Sequence, residues 1–222
     1  MGFSIDARDL RWACGDADDP QDLCLHGDVV VRIGERTLED DTLTVSAAGL
    51  YLLRSLTKDH VAGEGEHMIP HCGHAMYARE DGGSRSEDED VSLTGCPIGL
   101  DWSVRHDGGE VVLTLDDGTE ERMSVGSYRE EVFRFADAIE DYYRSCAEKI
   151  SFDDYARRGY EASWDERHRR MGRRRVDGPS CTRSIVPRRP SPPPARRAAP
   201  RRCSRSRGAA CPPGPICRAR PR

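Results

Sequence analysis

The chain has 222 residues and a formal net charge of −5 at neutral pH, a value that hides two regions of opposite charge. Residues 1–168, the acidic body, contain 17 Lys and Arg against 38 Asp and Glu, whereas residues 169–222 contain 17 Arg against Asp177 alone. The acidic body has the length of one domain and is large enough to bury a core without disulfides or metal. No segment is apolar over the length of a membrane span, and the first residues lack the pattern of a signal peptide, so we expect a cytoplasmic protein.

The first predicted elements are a strand, a return strand and a helix. Leu23–Ile33 is β-prone and apolar, and the chain turns at Gly34. Thr42–Val45 is predicted to form a short return strand. Ser46 is predicted to cap a helix from Ala47 to about Lys58.

Residues 64–99 are predicted to contain loops around two short strands. Pro70 ends regular structure in the first loop, and Cys72–Ala78 and Val91–Thr94 are β-prone. The acidic stretch 80–90, which contains two adjacent glycines, is expected to be an exposed loop.

The clearest pattern is an antiparallel meander from Trp102 to Val125. Apolar residues alternate along three segments that are separated by Asp107-Gly108-Gly109 and Asp116-Asp117-Gly118, sequences typical of tight turns. The segment Ser127–Glu130 resembles a capping box for a long helix that covers the apolar face of the meander. The buried face of that helix is predicted to contain Val132, Phe135, Ala136, Ile139, Tyr143 and Cys146.

A terminal helix over Phe152–His168, interrupted at Gly159, completes the body. The sequence therefore predicts an α+β fold: an antiparallel β-meander sheet with helices packed on one face, followed by a disordered Arg/Pro-rich tail. The short hairpin connections exclude a doubly wound parallel sheet, which needs a helix between strands.

The tail, residues 169–222, contains 17 Arg and 11 Pro and neither Lys nor aromatic residues. Such a composition does not bury enough apolar surface to offset the entropy of ordering the chain. GC-rich DNA read in a shifted frame gives this mixture, so a non-native extension is the favoured interpretation. A genuine tail would bind nucleic acid by counterion release.

The candidate metal ligands are two Cys-x-His pairs, Cys24 with His26 and Cys72 with His74. If both pairs lie on strands, each presents its two side chains on one face, and pairing the strands would gather a tetrahedral zinc set. Substitute ligands nearby in the sequence are Cys96, His71 and His67. The spacing is tighter than in the usual zinc knuckle, and the favoured alternative is that the cysteines are small packing residues. The five cysteines of the body are expected to be reduced thiols.

Cys72 is also the candidate nucleophile, because His71 and His74 flank it and a nearby imidazolium lowers the pKa of a thiol. A catalytic base is, however, placed by the fold rather than by adjacency in sequence. The chain has no phosphate-binding loop, nucleophile elbow or His-Glu-x-x-His motif, so we assign no catalytic residue and favour a binding protein over an enzyme.

The acidity of the body is the feature that bears most directly on a partner. Its net charge of −21 repels nucleic acid and steers a basic protein into contact. We therefore predict a binding or regulatory domain, of the type of an immunity or inhibitor protein, that acts through an acidic surface on a basic protein partner. The alternative is a zinc-binding protein, structural or hydrolytic, and no membrane association is expected.

Three strings resemble segments of small bacterial proteins: DPQDLCLHG (Asp19–Gly27), CGHAMY (Cys72–Tyr77) and GCPIGLDWSV (Gly95–Val104). The resemblance covers most of the acidic body and none of the tail. It implies no activity, and no site residue is taken from it.

Overall fold

The structure is a computed structural model that describes residues 2–15, 17–71, 75–79, 88–151, 153–172 and 181–182. Residues 80–87 of the predicted 80–90 loop lie outside these residues, and so does the predicted disordered tail apart from residues 169–172 and 181–182. In the part of the chain that is described, no helix is long and apolar enough to cross a membrane.

The described residues form the following elements in chain order: β1 (Phe3–Trp12), β2 (Leu25–Ile33), β3 (Arg36–Thr44), α1 (Val45–Arg54), β4 (Ile69–Pro70), β5 (Ala75–Ala78), β6 (Val91–Thr94), β7 (Gly99–Leu100), β8 (Ser103–Asp107), β9 (Glu110–Thr114), β10 (Glu120–Ser124), α2 (Val125–Ser145), β11 (Lys149–Ile150), α3 (Asp154–Arg170) and β12 (Cys181–Thr182). The strands β1-β2-β3 form a first antiparallel meander, and β8-β9-β10 form a second. The pairs β4–β7 and β5–β6 are antiparallel, and β11–β12 is parallel. The predicted α+β class is confirmed, and so is the meander predicted over residues 102–125.

The first meander differs from the prediction at both of its outer strands. Strand β1 was not predicted, although Phe3 and Ile5 alternate with polar residues and are buried. Strand β3 begins at Arg36 rather than at Thr42. The acidic residues Glu39 and Asp40 have low β propensity, but their backbone pairs with Val30 and Val29 of β2, so tertiary pairing outweighs propensity here.

Helix α1 begins at Val45 and ends at Arg54, so the predicted start, end and cap were wrong. Ser46 lies inside the first turn and is buried. Its Oγ accepts a hydrogen bond from Leu25 N at 3.3 Å, which ties the helix to β2 instead of capping it.

Helix α2 is capped by Ser124, three residues before the predicted capping box. Ser124 Oγ accepts from Ser127 N at 3.1 Å. The predicted inner face is confirmed at Val132, Phe135 and Ile139, all of which are buried. The helix lies against β1 and α1 and also contacts β9 and β10, so both meanders share one apolar core with it.

Helix α3 runs without interruption from Asp154 to Arg170, and the predicted break at Gly159 was wrong. A Cβ atom at Gly159 would lie 2.0 Å from Met76 O, so glycine is needed there because the helix approaches β5 closely. The helix also extends past His168, and Met171 is buried in the core. The folded part therefore includes three residues that the sequence assigned to the tail.

Candidate functional site

Cys24 and His26 flank Leu25 at the start of β2. Leu25 is buried in the core, and side chains alternate along a strand, so Cys24 and His26 point away from the core and are half-buried. Cys72 and His74 lie outside the described residues. The four-ligand zinc set therefore stays a prediction.

The imidazole of His26 lies against Thr44 at the end of β3. Its Nε2 is 3.2 Å from Thr44 Oγ1, and Thr44 Oγ1 also donates to His71 O at 3.5 Å. Burial lowers the pKa of His26, while the charge of Asp22 opposes this shift. His26 is therefore neutral at pH 7, the form in which an imidazole binds a metal.

Cys24 is a poor nucleophile in this setting. Burial raises the pKa of its thiol to about 12, and the negative charge of Asp22 adds to the effect. Asp22 is itself buried, and its carboxylate accepts hydrogen bonds from Cys24 N at 2.9 Å and Cys14 N at 2.7 Å. The thiol is thus protonated at neutral pH unless a metal displaces the proton.

The substitute ligands are placed elsewhere. His67 Nδ1 lies 3.3 Å from Gly99 O, and Cys96 is half-buried in the corner before β7. Considering only the described residues, no group of three or more His, Cys, Asp and Glu side chains is arranged to hold a metal ion. Cys24, Cys96 and Cys146 are free thiols.

A groove of about 400 Å³ lies between the segment before β2, strand β5 and the start of α3. We call it the tyrosine groove; it is lined by Gln21, Leu23, Cys24, Met76, Tyr77, Asp153, Tyr155, Ala156 and Tyr160. Tyr77 and Tyr155 are 37% and 46% exposed, and their ring centroids are 5.2 Å apart. The close approach at Gly159 brings α3 against β5 and so places these two rings side by side.

Five exposed carboxylates form what we call the acidic patch: Asp153 lines the groove, Asp154 follows it, Asp18 and Asp19 precede the lining residue Gln21, and Glu148 is adjacent to Lys149. The backbone holds the segments together, because Ile150 N donates to Pro20 O at 2.7 Å and Ala147 N donates to the Asp18 carboxylate. That backbone hydrogen bond, assisted by Lys149, lowers the pKa of Asp18. Asp18 is therefore ionised at neutral pH.

Lys149 is the buried cation beneath the acidic patch. Its Nζ lies 3.2 Å from Asp18 Oδ1, 3.1 Å from Asp19 O and 3.1 Å from the centroid of the Trp12 ring. The side chain is 1% exposed. Lys149 thus organises the patch from inside and is not itself available to a partner.

Most cations of the body already have an acidic partner within the described chain. Ion pairs at 4.0 Å or less involve Arg11, Arg32, Arg36, Arg54, Lys58, Arg79, Arg105, Arg122, Arg134, Arg144, Lys149 and Arg157. Carboxylates outnumber the cations of the body by more than two to one. Internal pairing consequently leaves a large negative excess on the surface.

Two His–Asp pairs that the sequence analysis missed connect the 55–68 segment to the second meander. His60 Nε2 lies 2.7 Å from Asp101 Oδ1, and Asp101 also accepts from two backbone N–H groups, those of Gly63 and Met68. His106 uses both ring nitrogens, Nδ1 with Asp59 at 2.8 Å and Nε2 with Leu56 O at 3.2 Å. These contacts hold a loop in place, and nothing in the sequence joins the partners.

Glu166 is the centre of a buried charge cluster that the sequence also did not indicate. Its carboxylate accepts from Arg54 Nε at 2.9 Å, Arg170 Nε at 2.8 Å and Asp90 N at 2.9 Å. Burial by itself raises the pKa of Glu166, but the two guanidinium groups lower it below its usual range. The cluster is internally satisfied and joins α1, α3 and β6, so its role is structural.

Comparison with protein-family models, with curated proteins and with solved structures found no match to the chain.

Proposed function

We propose that the chain is a binding domain for a basic protein partner and that the contact surface is the acidic patch together with the tyrosine groove. The observation that carries this proposal is the combination of the two: Asp153 lines a concave surface that exposes two aromatic rings, and four more exposed carboxylates lie on the neighbouring segments 18–19, 148 and 154. Protein interfaces favour aromatic anchors at their centre and charged residues at the rim. An immunity or inhibitor type of action fits a small acidic domain that covers a basic surface.

Electrostatics supports a cationic partner in particular. The N-terminus of α3 contributes about half a positive charge near the groove, but Asp153 and Asp154 stand at that terminus and outweigh it. A negative surface of this kind speeds encounter with a positive partner, and the effect weakens as salt screens the charges.

The proposal is tested with the full chain and a fluorescein-labelled octa-arginine peptide, by fluorescence anisotropy in a salt series. The patch variant carries Asp19→Asn, Glu148→Gln and Asp154→Asn. It keeps the cap Asp153, and the Asn at position 19 retains an acceptor for Gln21 N. We expect about tenfold weaker binding, because three rim charges together contribute about 1.4 kcal/mol.

The matched control removes the same charge from the second meander and α2, with Asp116→Asn, Glu120→Gln and Glu130→Gln. These residues are exposed, and we expect less than a twofold change. All proteins carry the same tail, so the comparison isolates the patch. Equal losses in both variants would show that the attraction is diffuse, and absence of binding would overturn the proposal.

Zinc binding by Cys24, His26, Cys72 and His74 is the second candidate, and one observation favours it. The described residues on both sides of 72–74 lie near the first pair: His71 O contacts Thr44, which also contacts His26, and Met76 lines the same groove as Cys24. A site formed there would take two thiolates and two neutral imidazoles.

Metal analysis after gel filtration tests this candidate. One zinc per chain, lost together with stability on addition of a chelator, supports it, because site formation is linked to folding. The variants Cys24→Ser and Cys72→Ser should then be non-additive, since loss of either ligand disables the site. Substoichiometric zinc with additive effects, each about 1 to 3 kcal/mol for an unpaired hydroxyl, contradicts it.

A further inference from the structure

We propose that the tyrosine groove takes an arginine side chain of the partner, with the guanidinium stacked on the Tyr77–Tyr155 pair and paired with the carboxylate of Asp153. This inference rests on the proposed function and names the group that is recognised. The side chain expected to bind in the groove is arginine, rather than lysine or an apolar side chain.

Two aromatic rings of the groove lie at the surface. Tyr77 and Tyr155 lie with an interplanar angle of 38°, and more than a third of each side chain is exposed. Tyr160, 1% exposed, forms part of the lining deeper in the groove. Aromatic faces attract guanidinium groups within about 6 Å of the ring centroid, and the attraction increases as water is excluded.

The described chain contains two contacts of this kind, the closer one at 4.9 Å between the guanidinium carbon of Arg167 and the centroid of the Trp164 ring. The guanidinium carbon of Arg158 lies 5.9 Å from the centroid of the Tyr155 ring. This spacing lies at the outer limit for cation–π attraction.

Asp153 provides the carboxylate of the groove. Its Oδ1 caps α3 by accepting from Tyr155 N at 2.9 Å, which fixes the orientation of the carboxyl group at the groove. Asp153 is exposed and lines the groove, so its second carboxylate oxygen is accessible to a ligand. A guanidinium is planar, so it can stack on a ring and donate to a carboxylate at the same time. A site that offers both contacts therefore suits guanidinium better than ammonium.

The size of the groove agrees with a side chain. Its volume of about 400 Å³ is at the lower end of the range for small ligand sites, enough for one arginine and part of its neighbours in a peptide. Leu23, Met76 and Ala156 provide apolar walls against which the methylene groups of the arginine would pack.

The test compares octa-arginine with octa-lysine on the full chain, by anisotropy under the same conditions. The wild-type protein should prefer octa-arginine by about fivefold, since stacking at a partly exposed site contributes about 1 kcal/mol. Tyr155→Leu should abolish this preference, whereas Tyr155→Phe, which keeps the ring, should retain it. Asp153→Asn should weaken octa-arginine about fivefold and leave α3 folded, because Asn is an equally good cap.

Circular dichroism of each variant provides the check on folding, and Tyr77→Leu repeats the test at the second ring. Equal affinity of the wild type for the two peptides, or an arginine preference that survives Tyr155→Leu and Tyr77→Leu, would overturn the arginine assignment. Loss of affinity in the patch variant would still support the proposed function in that case. Absence of binding to either peptide overturns both.

Discussion

The two meanders have the same topology, but one is regular and the other is bent by two bulges. In the second meander, the pairing runs from Ser103↔Thr114 to Asp107↔Glu110 without a shift of register. In the first, the register shifts between Arg8 and Arg11 on β1, and again opposite Gly27 and Val29 of β2, where the extra residue lies on β3. The same three-stranded arrangement is thus reached in one case by local turn signals and in the other by contacts between distant residues.

The bulges of the first meander depend on one guanidinium. Arg11 donates to Asp9 O at 2.7 Å, to Asp28 Oδ1 at 2.8 Å and to Thr42 Oγ1 at 2.8 Å, so it joins all three strands. Asp9 and Thr42 have φ of 47° and 61°, a region that non-glycine residues rarely adopt. The hydrogen bonds of Arg11 therefore offset backbone strain on both outer strands.

The largest effect on stability is expected from disrupting the apolar core that the two meanders share. Val132→Asp or Ile139→Asp places a charge in the core that α2 shares with both sheets, and each should cost more than about 4 kcal/mol or unfold the protein. Circular dichroism and urea unfolding measure this. Ala138→Asp on the exposed side of the same helix is the control, and a native spectrum for the core variants would show that the face is misassigned.

A smaller effect on stability is expected from glycine substitutions, which should destabilise the first meander more than the second. A Cβ atom at Gly27 would lie 2.9 Å from Leu10 Cδ2 and 3.1 Å from Arg8 O, so Gly27→Ala should cost about 2 kcal/mol through overpacking. In the β8–β9 turn, Gly108 has φ of +59° and nothing within 4 Å of an added Cβ. Gly108→Asn should therefore cost less than about 1 kcal/mol, because Asn enters this conformation readily. Equal losses in urea unfolding would refute the distinction.

The third prediction compares the loss of stability when an arginine is replaced in the first meander and in the second. Arg11→Met removes three hydrogen bonds and should cost about 2 kcal/mol, with faster hydrogen exchange at the amide of Thr42. Arg122→Met in the second meander removes only exposed ion pairs with Asp107 and Glu110 and should cost less than about 0.5 kcal/mol. Unchanged exchange at Thr42 in the Arg11 variant would mean that the bulge holds without the guanidinium.

The smallest effect is a dependence on pH. Partial burial raises the pKa of Asp28, but hydrogen bonds from Arg11 and from Thr42 N lower it more. Because the folded-state pKa is depressed, the contribution of the carboxylate is complete above the unfolded-state pKa of about 3.9 and is lost as the pH falls through the folded-state pKa.

The stability difference between the wild type and Asp28→Asn should therefore shrink as urea titrations are moved from pH 6 to pH 3. The corresponding difference for Asp107→Asn in the second meander should be smaller at every pH, because Asp107 and its arginine partners are exposed. If the stability difference between the wild type and Asp28→Asn did not change with pH, the role of Asp28 would be steric rather than electrostatic.

Features with a local physical cause were predictable from the sequence. The turns at Gly108 and Gly118 and the alternation between them define the second meander, because tight turns and strand periodicity act over a few residues. The inner face of α2 follows from helical spacing in the same way, although its cap is Ser124 rather than Ser127.

Features that depend on distant contacts were not predictable. Gly159 reads as a break in a helix, and only the approach of Met76 O shows why glycine stands there. Arg54 and Glu166 are far apart in the sequence, so neither residue signals the other. Likewise the bulges beside Asp28 need three strands in place before Arg11 can bridge them.

Some features of the candidate site were likewise predictable from the sequence, and others were not. The sequence by itself determined the negative charge of the body, because composition sums over residues without regard to their position. It also determined that Cys24 and His26 share a side of their strand, since the period of two is local. Only the tertiary structure decided that residues near positions 21, 77 and 155 line one groove. Concave sites are made where separate elements pack, and packing depends on the whole core rather than on any one segment.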